Sequence, residues 1–253
     1  MTGASDDRDE PRIQSYGRKR GRPLRAGRRK LFAELLPEID VAPPTGSEAA
    51  ALDPATIWGE PGRETWLEIG FGAGEHLAWQ AGRHPGIGFI GAEVYEAGIG
   101  VLLSAIAREG LTNIRIHAAD AVSLLGALPA GSIARAFVLF PDPWPKRRHW
   151  KRRLVSAAGL ARLARVLADG AELRLATDDP SYLTWMLQSI LASPDFIWTA
   201  RRAGDWLERP DDWPQTRFEA KAIREGRKPS YLRLKRRSRE AETPPHTPGP
   251  GFA

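Results

Sequence analysis

Residues 138–153 read VLFPDPWPKRRHWKRR and pass from core to polycation within a few positions. An apolar run, 136–140, ends at Pro141-Asp142-Pro143-Trp144, and an octet follows in which Lys146, Arg147, Arg148, Lys151, Arg152 and Arg153 are cationic. Both prolines fix φ and confine the preceding residue to extended conformations, so the run reads as a strand with a stiff C-terminal tip carrying one carboxylate and one indole. A chain with this segment must bury the strand, expose the octet and hold Asp142 and Trp144 between them.

The flanking sequence supplies such a frame. Strand patterns fall at 65–69, 88–93, 114–118, 134–140 and 172–177, with weaker ones at 196–200 and 231–235. Helical patterns fall between them at 75–82, at 96–109 with Ile99, Leu102, Leu103 and Ile106 apolar, at 154–167, and from Pro180 to about 191. Asp169-Gly170 is expected to close the third of these helices, and Asp178-Asp179-Pro180 to start the fourth. Strands alternating with helices imply right-handed βαβ units, hence an α/β fold with a doubly wound, mainly parallel seven-stranded sheet. Ligands of such sheets bind beyond the carboxyl ends of the strands. Glu68, Glu93, Asp120, Asp142 and Asp178 all lie at or just past such ends.

One domain is therefore expected over 31–237. Residues 1–30 form a basic N-terminal segment without apolar periodicity, expected to be disordered or to order on a partner, and 238–253 a Pro- and Gly-rich disordered tail. Pro11 to Lys30 carries nine cations and no acid; with the six of the octet removed as well, the net charge of +6 becomes −9. An acidic body with two basic blocks suits polyphosphate contact. The absence of cysteine excludes disulfides, thiolate zinc sites and a cysteine nucleophile, no metal is expected, and neither an apolar leader nor a membrane-length run is present. The expectation is a soluble, cytoplasmic protein.

After the first strand comes Gly70-Phe71-Gly72-Ala73-Gly74, a turn that lets backbone approach a ligand in front of a helix N-terminus. Its spacing misses the dinucleotide fingerprint, because Glu75 stands where the third glycine would be. Glu68 would repel a pyrophosphate and attract a cationic amino or sulfonium group, which favours S-adenosylmethionine over NAD. Glu93 is placed to accept both hydroxyls of a ribose and Asp120 to accept from an adenine amino group, with a plain strand-end cap as the alternative for either acid. At the proline tip Trp144 can stack on a planar heterocycle or fill the core, while Asp142 accepts from ring N–H and amino groups such as those on one edge of guanine. The octet beside it is suited to a phosphate backbone.

PDPWPKRRHWKRR following EIGFGAG, with TDD at 177–179 and TRFE at 216–219, resembles the bacterial tRNA (guanine-N7)-methyltransferases. The resemblance extends over 15–236, departing from the family pattern at Asp179-Pro180 and after Glu219. It implies a class I, Rossmann-like methyltransferase that moves a methyl group from S-adenosylmethionine to N7 of a guanine in the variable loop of tRNA. It further implies that Glu68, Gly70, Gly72, Glu93, Asp120 and Asp142 hold the cofactor, with Asp142 catalytic. Trp144, Lys146, Asp178, Thr216, Arg217, Phe218 and Glu219 would then touch the substrate, and Arg147, Arg148, Lys151, Arg152 and Arg153 the RNA. Neutralising Arg152 and Arg153 is accordingly expected to flatten the salt dependence of RNA binding. The rivals are a methyltransferase for another RNA or a protein nitrogen, and a non-catalytic RNA-binding protein on a nucleoside-binding fold.

Overall fold

The computed structural model describes residues 23–43 and 52–239. In chain order they form α1 (Ala26–Glu34), α2 (Leu36–Ile39), α3 (Pro54–Trp58), β1 (Thr65–Ile69), α4 (Glu75–Arg83), β2 (Gly88–Ala92), α5 (Glu96–Glu109), β3 (Ile114–His117), α6 (Ala121–Ala127) and β4 (Ile133–Leu139). There follow a 3₁₀ turn (Arg147–Arg152), α7 (Ala157–Val166), β5 (Leu167–Thr177), α8 (Pro180–Leu191), β6 (Phe196–Trp198), α9 (Gly204–Leu207), α10 (Arg217–Arg224) and β7 (Ser230–Arg236).

The sheet has seven strands in the order β3-β2-β1-β4-β5-β7-β6. The first five neighbours run parallel, and β7 is antiparallel to both β5 and β6. This is the doubly wound, mainly parallel sheet that the alternating pattern implies. Successive strand residues face opposite layers: Trp66 packs with Leu77, Leu102 and Ile106 on the α4/α5 side, whereas Leu67 and Ile69 join Leu160, Leu163 and Met186 on the α7/α8 side. Each such fully buried aliphatic contributes roughly 1.5–3 kcal/mol, which fixes the sheet and so the positions of its C-terminal edges.

Local capping decides where the helices begin. Asp120 accepts from Val122 N–H (2.9 Å) at the start of α6, and Asp179, ahead of Pro180, from Tyr182 N–H (2.7 Å) at the start of α8. Thr216 does the same for α10, accepting from Glu219 N–H at 3.2 Å.

Three expectations need correction. Residues 26–30, assigned to a disordered segment, belong to α1: Leu31, Phe32, Leu35 and Leu36, immediately beyond the basic run, pack against the α4/α5 core and draw its last turn with them. Residues 23–25 lead into that helix, and 1–22 lie outside the described residues. Second, Asp169-Gly170 does not close α7. That helix ends at Val166 and passes directly into β5, where Gly170 (φ 77°) sits within a shift of register against β4. Third, Ser238 and Arg239 are not part of a free tail, because the Arg239 guanidinium donates to the carbonyls of Ala164, Arg165 and Leu167. These are the carbonyls a helix end leaves unpaired. The remaining tail, 240–253, lies outside the described residues.

Candidate active site

The glycine turn joins β1 to α4. Gly72 (φ 56°) and Gly74 (φ 73°) both hold left-handed backbone, and a Cβ at Gly70 or Gly72 would meet nothing within 4 Å, so that side of the turn is open to a ligand. Glu93, just beyond β2, fastens the turn from the side. One carboxylate oxygen accepts from Gly72 N–H at 2.8 Å, the other from Val94 N–H (2.7 Å) and Tyr95 N–H (2.9 Å). Burial raises its pKa, the three N–H groups oppose that rise, and the charge of Asp142 adds to it. Glu93 and Asp142 thus share one electrostatic field from opposite sides of β1.

Glu68 is not displayed to a ligand as its place near the strand end implied. Its side chain is buried, and one carboxylate oxygen lies 2.7 Å from His76 Nδ1 on the first turn of α4. His76 in turn meets Gln80 (3.2 Å), which donates to the carbonyl of Asp212 (3.1 Å). Glu68 is therefore tied to the helix that follows the glycine turn. Asp120 stands half-buried beyond β3, with one oxygen given to its helix cap.

The proline tip leaves β4 through two strained residues. Phe140 (φ 51°) and Trp144 (φ 46°) are left-handed without being glycine, and they bracket Pro141-Asp142-Pro143. Asp142 is exposed between them. Trp144 is half-buried, with the Arg152 guanidinium 4.9 Å from its ring centroid and His149 against its edge at 5.8 Å. It is neither core filler nor an empty platform: Arg152 already lies on it as a cation–π partner.

Lys146, Arg147, Arg148 and Lys151 are exposed, and none has a carboxylate partner among the described residues. Slight burial and then the cations Arg152, Arg148 and Lys146 lower the pKa of His149 among them. Arg153 contradicts its assignment to RNA. It is 1% exposed, and its guanidinium points inward among the rings of Trp150, Tyr182 and Trp185. The turn of 3₁₀ helix before it carries the last cations of the octet, Arg152 and Arg153, away from solvent, which a one-dimensional run of charge does not show.

Helix α10 brings the 216–219 motif to the same place. Arg217 donates from its backbone N–H (2.6 Å) and its guanidinium to Glu75, the first residue of α4 after the glycine turn. Phe218, 48% exposed, sets its ring 5.3 Å from that of Phe140 at the base of the proline tip. Asp178 at the end of β5 is paired with Arg227. Glu219, in contrast, is wholly buried, accepting from the Tyr231 hydroxyl and lying 3.2 Å from Arg209 Nε. Its placement corrects the expectation of direct substrate contact: Glu219 braces α10 against β7, while Arg217 and Phe218 face outward.

Segments 70–75, 140–152 and 216–218 thus meet over the C-terminal ends of β1, β2, β4 and β5. His76, Glu75, Arg209, Arg227 and Tyr231 join them without having been singled out. Of these, Glu75 alone carries a signal in sequence, as the acid directly after the glycines.

A family model described as a putative methyltransferase matches residues 62–231. A tRNA (guanine-N(7)-)-methyltransferase of Rhodospirillum rubrum is 50% identical over 227 residues, 90% of this chain and 89% of the relative. One of Nitrobacter hamburgensis is 44% identical, with 94% of each chain covered. Among solved structures, the 16S rRNA methyltransferase KamB superposes with a TM-score of 0.52 at 16% identity, covering 78% of this chain and 100% of that one, a likeness of fold.

Proposed function

The chain belongs to the tRNA (guanine-N(7)-)-methyltransferase family, and on that premise we propose that it transfers a methyl group from S-adenosylmethionine to N7 of a guanine in the variable loop of tRNA. What carries the proposal is the meeting of the open glycine turn, Glu93 and Asp142 on one edge of the sheet with exposed cations beside them.

The residues fit such a cofactor. Gly70 and Gly72 leave backbone accessible, Glu93 offers a carboxylate to ribose hydroxyls, Asp120 stands at the adenine end, and buried Glu68 lends negative potential to a cationic ligand. The cofactor supplies an electrophilic methyl group on a sulfonium. Guanine N7 carries a free lone pair, so the chain has to align the two and need remove no proton. Asp142 orients the purine by accepting from its N–H groups and stabilises the positive charge that the ring acquires. Trp144 and Phe218 offer ring faces to a base opened out of its RNA fold, and Thr216, Arg217 and Asp178 border the same opening. Lys146, Arg147, Arg148 and Lys151 hold the surrounding phosphates, with Arg152 at the junction of base and backbone.

Among the described residues no helix is long and apolar enough to cross a membrane, and no group of His, Cys, Asp and Glu is set to hold a metal. We place the enzyme in the cytoplasm with its tRNA substrate. Asp142→Asn tests the assignment: methylation of total tRNA from a labelled donor, followed by mapping of the modified base, is expected to show kcat reduced by on the order of a hundredfold. Full turnover at saturating tRNA and cofactor would remove Asp142 from its role.

A further inference from the structure

The geometry points to Arg153 as the positioning residue of the catalytic tip, a buried guanidinium that sets Asp142 and Trp144 for the reaction without touching RNA. This rests on the role given to Asp142 above.

Segment 141–145 contains Pro141, Pro143 and Pro145, none of which has an N–H to give. Such a loop must be fastened largely through its carbonyls. Arg153 Nε donates to the Pro143 carbonyl at 2.9 Å, between Asp142 and the left-handed Trp144. Strained backbone persists when its surroundings over-determine it, and this bond acts at the strained point.

The guanidinium is itself held by rings and by a second acceptor, with Nη1 alone left without a partner among the described residues. Its carbon lies 4.8 Å from the ring centroid of Trp150, 4.9 Å from Tyr182 and 5.3 Å from Trp185, and Nη2 donates to Ser181 Oγ at 3.2 Å. The rings are fixed in turn. The Tyr182 hydroxyl accepts from Val155 N–H (3.1 Å), Trp185 Nε1 donates to the Val155 carbonyl (2.8 Å), and Trp150 and Trp185 meet edge to face at 5.7 Å. Tyr182 and Trp185 lie on α8, which Asp179 caps directly after β5. Arg153 thus ties the tip of β4 to the helix that follows β5, and the register of the sheet passes to Asp142 through one side chain. A planar fork stacked on rings and bonded to two acceptors is a role an ammonium cannot copy.

Arg153→Lys and Trp185→Phe in the full chain test this, with kcat from methylation, affinity for tRNA at several salt concentrations, affinity for S-adenosylmethionine by calorimetry, and thermal unfolding. For folded Arg153→Lys the expected result is kcat lower by about tenfold to a hundredfold. Both affinities stay within about twofold and the slope of log Kd against log salt is unchanged. Trp185→Phe, which keeps a ring in the box, lowers kcat severalfold with the same pattern and serves alone where Arg153→Lys does not fold. A fall in tRNA affinity with a shallower salt slope and unchanged kcat would make Arg153 a phosphate contact and overturn the inference. So would variants that unfold at lower temperature yet keep kcat. Asp142→Asn, measured in parallel, separates the two claims: turnover retained there with Arg153→Lys impaired discards the role of Asp142 and leaves the tip, through Trp144, under the control of Arg153.

Discussion

At Glu93, burial and three backbone N–H groups act in opposite directions on one carboxylate, and burial prevails. The folded protein then holds the Glu93 proton more tightly than the unfolded chain does. The contribution of this residue to stability is therefore largest below the ordinary glutamate value of 4.5 and is lost as pH rises through the raised folded value. At neutral pH an ionised Glu93 costs stability, as expected of a group kept for binding. Calorimetric affinity for S-adenosylmethionine is predicted to fall as pH is lowered through that raised value, where an unperturbed glutamate would still be ionised. Glu93→Gln should lose the pH dependence and about tenfold in affinity. A wild-type profile flat down to the ordinary glutamate range would detach Glu93 from the cofactor. Residue identity and strand-end position point to Glu93, Asp142 and Trp144, and the structure sets all three at the C-terminal edge of the sheet. Identity and position do not suffice for Glu68, Arg153 and Glu219, whose charges turn inward onto His76, the α8 rings and Tyr231. Those partners lie on other elements, and a linear pattern does not reveal which side of a turn a long side chain takes.

The glycine turn is shaped by α5 as well as by its own residues. An added Cβ on Gly98, in the first turn of α5, would lie 2.1 Å from the Gly72 carbonyl oxygen, so backbone meets backbone there. Gly98→Ala is predicted to push the turn off Glu93, reducing stability by about 1–3 kcal/mol in thermal unfolding and weakening cofactor binding more than tRNA binding. Equal cofactor affinity in the variant would show that the turn tolerates displacement. The elements that sequence periodicity found, β1 to β5 with α4, α5, α7 and α8 and more weakly β6 and β7, are those with apolar faces to bury. Helix α10 escaped notice because TRFEAKAIREG is mostly polar, with Glu219 and Ala222 its buried residues, and α1 because its apolar positions follow a long basic run. Asp169-Gly170 imitates a helix stop and is instead a bulge of β5, a distinction made by strand pairing with β4 and not by local sequence.

At the scale of the whole molecule, the exposed cations Lys146, Arg147, Arg148 and Lys151 form one block beside the tip that carries Asp142. The double substitution Arg147→Ala with Arg148→Ala is predicted to weaken tRNA binding and make its salt dependence shallower by about 1 to 2 in log–log slope. Affinity for S-adenosylmethionine should stay the same, and an unchanged slope would place the phosphates elsewhere. The architecture was legible from alternation alone; the convergence of 70–75, 140–152 and 216–218 was not, since it depends on the sheet order and on α10 folding back over α4. That order has a consequence for synthesis on the ribosome. Strand β7 lies between β5 and β6, and β6 pairs with β7 alone. Until residues 230–236 emerge, β5 forms an open sheet edge, β6 has no strand beside it, and Glu219 waits for the Tyr231 hydroxyl. The glycine turn, Glu93 and the proline tip all precede β7 in the chain, so the strand that braces α10 through Tyr231 is the last part of this rim to be translated.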